Sequence, residues 1–178
     1  PTIPEDTYDY IADPNGLIAA TSSTPKYENS IFTGDTGIFF LTSTDDSGVK
    51  TYTEKSAAMS LTNENAQDID VTVKLEQTTA GTENIEYASS ATFEADDKAN
   101  KLYLAITDDA LSDAKVSALS STAAATLTTT VAGVPDNYEP NYDETDGYGY
   151  VLKAEDDRND WNSCSFIMTG AINKNAEW

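Results

Sequence analysis

The sequence contains no histidine, and that absence removes much of enzyme chemistry. Without imidazole there is no Ser-His or Cys-His catalytic pair and no His-Glu-x-x-His zinc site, and the commonest general base near neutral pH is missing. Cysteine occurs once, as Cys164, so no disulfide can form within the chain. Positive charge is scarce. Nine lysines and a single arginine, Arg158, stand against 31 acids, for a net charge of -21. Such a field repels phosphate, which argues against DNA, RNA and anionic membranes as partners, and it attracts cations and basic surfaces. Long apolar runs are lacking too, and no stretch approaches the roughly 18 residues that a membrane helix needs. These absences predict a chain that is not an enzyme, with no catalytic residues to name, and that does not insert in a membrane in its mature form. The opening Pro1-Thr2-Ile3-Pro4 reads as the start of a mature, exported chain whose signal peptide has been removed, and so as an extracellular or cell-surface protein.

What the sequence does have is alternation. Ile69, Val71, Val73 and Leu75 interleave with Asp70, Thr72, Lys74 and Glu76, which predicts a strand over 68–78 with one buried and one wet face. Leu102, Leu104 and Ile106 repeat the pattern over 101–107. Segments 37–43 and 49–53 flank Thr44-Asp45-Asp46-Ser47-Gly48, the grammar of a hairpin turn. Further strands are predicted over 57–62, 84–87, 91–94, 125–131, 148–154 and 163–169, about nine or ten in all. One short helix is predicted over 108–115, where Asp108 would cap and Leu111, Ala114, Ala118 and Leu119 would share a face. Many short strands with frequent turns indicate an all-β sandwich or jelly roll, with at most one short helix. It occupies 22–178 as a single domain, preceded by an N-terminal segment over 1–21.

Three places are candidates for function. In the N-terminal segment, Ile3 is followed by Tyr8, Tyr10 and Ala12 on one face of an extended stretch, and Leu17 and Ile18 follow the Asn15-Gly16 turn. The segment reads either as an edge strand of its own sheet or as a strand donated to the next copy, with Ile3, Tyr8, Tyr10, Ile11, Leu17 and Ile18 as the linking residues. The Tyr-rich acidic stretch 135–150 reads as a long loop whose Tyr138, Tyr142, Tyr148 and Tyr150 form a candidate contact surface for a sugar or a subunit. Asp143, Glu144 and Asp146 form one candidate calcium cluster, and Asp156, Asp157 and Asp160 form another, although neither has the spacing of an EF-hand loop. No other cofactor is expected. Cys164, Phe166 and Met168 fall on one side of a predicted strand, which marks the thiol as buried and inert.

Two stretches resemble the camelysin/TasA-like secreted proteins, which build biofilm fibres and have archaeal pilus relatives. Leu61-Thr62-Asn63-Glu64-Asn65-Ala66-Gln67-Asp68-Ile69-Asp70-Val71-Thr72-Val73 is similar to that family's strand, Asn-bearing turn and alternating strand. Residues 165–178 resemble a closing pattern of such exported proteins, carried here by Ser165, Phe166, Gly170, Asn173, Ala176 and Trp178. The resemblance implies a jelly-roll domain, export, and head-to-tail polymerisation by a donated N-terminal strand, with copies of the chain itself as partner. Of the carried residues, Phe166, Gly170, Asn173 and Trp178 read as structural. Metallopeptidase activity, described for some members, does not carry over to a chain without histidine. The sequence therefore predicts a structural subunit of an extracellular filament, with a monomeric carbohydrate-binding or adhesive surface module as the alternative.

Overall fold

The computed structural model describes residues 9–18, 27–77, 85–108, 116–120, 122–158 and 160–178. Within them the chain forms thirteen strands: β1 (Tyr10–Ala12), β2 (Ser30–Thr33), β3 (Ile38–Thr44), β4 (Lys50–Thr53), β5 (Met59–Thr62), β6 (Ile69–Leu75), β7 (Glu86–Tyr87), β8 (Lys101–Asp108), β9 (Val116–Ala118), β10 (Ala125–Val131), β11 (Tyr138–Asp143), β12 (Gly147–Leu152) and β13 (Ser163–Ile172). The all-β expectation holds, and the described residues contain no α-helix.

One layer is the sheet β5-β13-β8-β7, with β9 also paired to β8. Register places Phe166, Met168, Gly170 and Ile172 opposite Asp108, Ile106, Leu104 and Leu102, so these residues share one face. Two separate units cover that face. At one end, Ile38 and Phe40 of the sheet β1-β3-β4-β2 pack with Ile172, Leu102, Leu104, Met168 and Trp178. At the other end, Leu127 and Ala125 of the β10·β6 pair join Ile106, Phe166 and Leu119. The result is a sandwich whose second layer is built from two pieces. Leu104 and Met168 belong to both clusters and mark the seam between the pieces.

The period-two reading of 68–78 is realised in β6. Ile69, Val71, Val73 and Leu75 are partly buried and the residues between them are exposed. On the wet face of the β10·β6 pair, Thr72 and Thr128 bond across the strands at 3.1 Å, and the Thr130 hydroxyl donates to Asp70 at 2.7 Å. The predicted hairpin is β3·β4. The Asp45 carboxylate accepts the Ser47 and Val49 amides, and Gly48 takes the left-handed φ of 82° that the turn requires.

Strand β8 departs from the one-sided expectation. Tyr103 and Ala105 on its outer face are also buried, covered by Ala88, Phe93 and Ala118. Segment 91–94 is not a strand. It carries Phe93 as an anchor onto this outer face. The predicted helix is corrected where it is described: Asp108 ends β8, Ala118 lies in β9, and Leu119 enters the core. Residues 109–115 lie outside the described residues. The strand number exceeds the expected nine or ten because β1, β2, β9 and β11 add to it while 91–94 drops out. β2 is short and pairs in parallel with β4, and β9 is short and follows an apparent helix cap. β11 carries the mid-run Pro140 that argues against a strand.

Candidate functional site

The N-terminal edge is assembled around Asp13. Its two carboxylate oxygens accept the Leu17 and Ile18 amides at 2.8 Å each, and its own amide donates to the Gly37 carbonyl at 2.7 Å. Pro14, Asn15 and Gly16 turn between these points, with Gly16 at φ 62°. This clamp holds β1 antiparallel to β3, with Tyr10 opposite Phe40, Ile11 opposite Phe39 and Ala12 opposite Ile38. Of the expected linking residues, Ile11 and Ile18 pack on the aromatic cluster of Phe32, Phe39 and Tyr52. Tyr10 and Leu17 point outward, 60% and 78% exposed. Ile3 and Tyr8 lie outside the described residues. Within one copy, then, β1 is an edge strand of its own sheet.

Beside β1 the seam opens into a cavity of about 350 Å³. Tyr10 and Phe40 form one wall, with ring centroids 6.4 Å apart, and Leu75 and Tyr87 form another. Leu104, Leu119 and Met168 line it as well, so the site is largely apolar. Glu76 and Gln77, just beyond the end of β6, are its polar members. A slot of this size between a strand edge and an apolar floor can accept bulky side chains projecting from an added strand.

The stretches that carried the family resemblance prove to be architectural. Asn63 and Asn173 are both fully buried. The Asn63 side-chain amide donates to the Gln67, Val131 and Ala132 carbonyls at 2.9, 3.2 and 2.9 Å, and its oxygen accepts the Asn65 amide at 3.1 Å. Asn173 donates to the Asp97 and Ala99 carbonyls at 3.0 and 2.8 Å and accepts the Asn175 amide at 3.1 Å. Each stands where a strand leaves the sandwich and ties that exit to a distant segment. The shared wording Asn-x-Asn-Ala, at 63–66 and 173–176, is the sequence signal for this device. Trp178 donates its indole N–H to the Asn173 carbonyl at 2.7 Å. At Gly170 an added Cβ would stand 2.8 Å from Ile38 Cγ2 and 3.0 Å from Leu104 Cδ2, which explains a glycine where the two layers meet.

The Tyr-rich stretch is not a loop. It is a two-stranded ribbon, β11·β12, that among the described residues shares a ladder with no other strand. The turn of the ribbon repeats the grammar of the β3·β4 turn. Asp143 accepts the Thr145 and Asp146 amides, which holds its carboxyl below the usual range, and Gly147 adopts φ 78°. Register puts Tyr138, Pro140 and Tyr142 opposite Leu152, Tyr150 and Tyr148 on one face, and Glu139, Asn141 and Asp143 on the other. The four tyrosines have different environments. Tyr138 is buried at the base and stacks on Trp161 at 3.9 Å, and burial, reinforced by the Asp160 and Asp156 charges, raises its phenol pKa. Tyr150 is half-buried. Tyr142 and Tyr148 meet at the tip with centroids 4.8 Å apart and planes at 55°.

In the second acidic cluster, Asp156 accepts the Arg158 guanidinium at 2.6 Å and the Arg158 amide, which lowers its pKa. Asp160 accepts the Asn137 side-chain amide at 2.7 Å, and Asp157 is exposed. Glu144 and Asp146 are exposed in the turn. Among the described residues no three carboxylates converge as a metal cage would require. Cys164 packs half-buried against the core, and burial, then the nearby Asp108, pushes its thiol pKa up. No family model matches this chain, and neither the curated proteins nor the solved structures contain a match to it.

Proposed function

We propose that this chain is a structural subunit of an extracellular filament of the pilus or biofilm-fibre kind. In this reading copies join head-to-tail when the N-terminal segment of one adds as a strand to the next. The observation that carries the reading is the edge at β1. A three-residue strand that among the described residues is held by one neighbour, β3, lies beside an apolar slot open along the seam. A strand arriving from another copy gains main-chain bonds at such an edge and seats alternate side chains in the slot. The contact is heterologous, so it propagates into a fibre instead of closing as a pair. The camelysin/TasA-like resemblance at 61–73 and 165–178, and export to the surface, belong to the same proposal.

The test is a truncation with complementation. The chain starting at Asp13 is expected to remain a folded monomer and to form no filaments in negative-stain electron microscopy. A synthetic peptide of residues 1–12 is expected to bind it and raise its melting temperature. Filaments from the truncated chain, or a peptide without effect on it, would refute strand donation.

The alternative, a monomeric carbohydrate-binding module, draws support from the exposure of Tyr142 and Tyr148. Their planes, tilted by 55°, do not make the flat platform on which a sugar ring stacks.

A further inference from the structure

We infer that the aromatic face of the β11·β12 ribbon is a docking surface for a lysine- and arginine-rich segment of a partner polypeptide. The face is a stripe. Its base, Tyr138, is stacked and buried, and the rings become more exposed outward until Tyr142 is 59% and Tyr148 90% exposed. An exposed tyrosine pair directly opposite across a ribbon presents π faces whose negative quadrupole attracts cations.

Charge complementarity selects the occupant. Between residues 135 and 160 nine acids stand against two bases, a net of -7 out of the chain's -21. Both bases are already engaged: Lys153 with the Asp136 carbonyl, and Arg158 with Asp156 and Asp160. A second copy, itself at -21, meets this surface against repulsion. The opposite face carries Glu139, Asn141 and Asp143, so these polar groups point away from anything bound over the rings. A neutral sugar would therefore find few hydrogen-bond partners beside the tyrosines. A basic side chain needs none there. Its methylene stem lies along a ring, and its charged head reaches the carboxylates of Glu144 and Asp146 in the adjoining turn. The inference is independent of the filament reading.

The experiment uses the full chain and a fluorescein-labelled peptide of repeating Gly-Lys-Gly-Arg units, read by fluorescence anisotropy at physiological ionic strength. Wild type is expected to bind saturably. The double variant Tyr142→Ser/Tyr148→Ser removes two exposed ring contacts and is expected to weaken binding about five- to thirtyfold. Tyr142→Phe/Tyr148→Phe keeps the π faces and is expected to retain it. Both positions are exposed, so unchanged melting temperatures will show that the fold is intact. Equal binding by wild type and the serine variant would reduce the effect to bulk charge and overturn the inference. So would the absence of binding by wild type, or tyrosine-dependent binding of neutral oligosaccharides in place of the peptide.

Discussion

Replacing Asn63 with alanine removes a side chain that is fully buried and hydrogen-bonded to four backbone groups. Two of its donor bonds, to Gln67 and Ala132, are short, and the third reaches the buried Val131 carbonyl at 3.2 Å. At about 1 kcal/mol for each well-formed bond, plus about 1–3 kcal/mol for a buried partner deprived of one, the loss is about 3 kcal/mol. For a domain of this size that lowers the melting temperature by about 6–12 °C. Urea unfolding followed by tryptophan fluorescence should show an earlier midpoint with an unchanged slope. Asn63→Asp sharpens the test. It keeps the acceptor for Asn65 but turns an anionic oxygen toward three carbonyls. The introduced carboxyl then has a folded-state pKa above its unfolded value. Its penalty is smallest at low pH and grows as pH rises through the normal carboxylate range. A loss under about 1 kcal/mol for Asn63→Ala, or a pH-independent deficit for Asn63→Asp, would refute the clamp.

Three other outcomes are expected. Gly170→Ala crowds Ile38 and Leu104 between the layers and should cost about 1–3 kcal/mol by chemical denaturation, and a neutral result would mean that the layers can part at that point. Asp97, Asp143 and Asp156 have lowered pKa values, through the Lys101 ammonium, the Thr145 amide and the Arg158 guanidinium respectively. Their contribution is present above the unfolded carboxylate value and is lost as pH falls through the folded values, so the melting temperature should drop only below about pH 4, and a collapse complete by pH 5 would contradict this. Because Asp143 and Asp156 already bind the turn amides and Arg158, a chelator in calcium-containing buffer should leave the melting temperature unchanged, whereas a fall of several degrees would place calcium in one of the acidic clusters.

Much of the sandwich is legible in the sequence because its strands have one wet face. β10 falls at 125–131 as read, and β6 and the β3·β4 hairpin lie within a few residues of their expected bounds. Where that alternation fails, so does the reading. β8 is covered on both sides, and segment 91–94 has a single anchored aromatic that mimics a strand. β11 hides behind Pro140, although its turn carries the same Asp and Gly as the turn that was recognised. At the candidate sites, the sequence located the tyrosines but not their division into a buried base and an exposed tip, which depends on Trp161 arriving from beyond the ribbon. The slot beside β1 has no local signal at all, because its walls come from strands scattered over the chain.

The position of β13 also bears on how the molecule forms. The last ten-residue strand of the sequence lies between β5 and β8, in the interior of its sheet. Without residues 163–172, β5 loses its strand partner among the described residues and β8 loses one of its neighbours. The layer therefore cannot assemble progressively from the N-terminus. The pairings of β13 with β5 and β8 join segments far apart in sequence, and such contacts form slowly in a β topology. Disrupting β13 should therefore prevent that layer from forming, whereas removing β1 takes away only an edge strand.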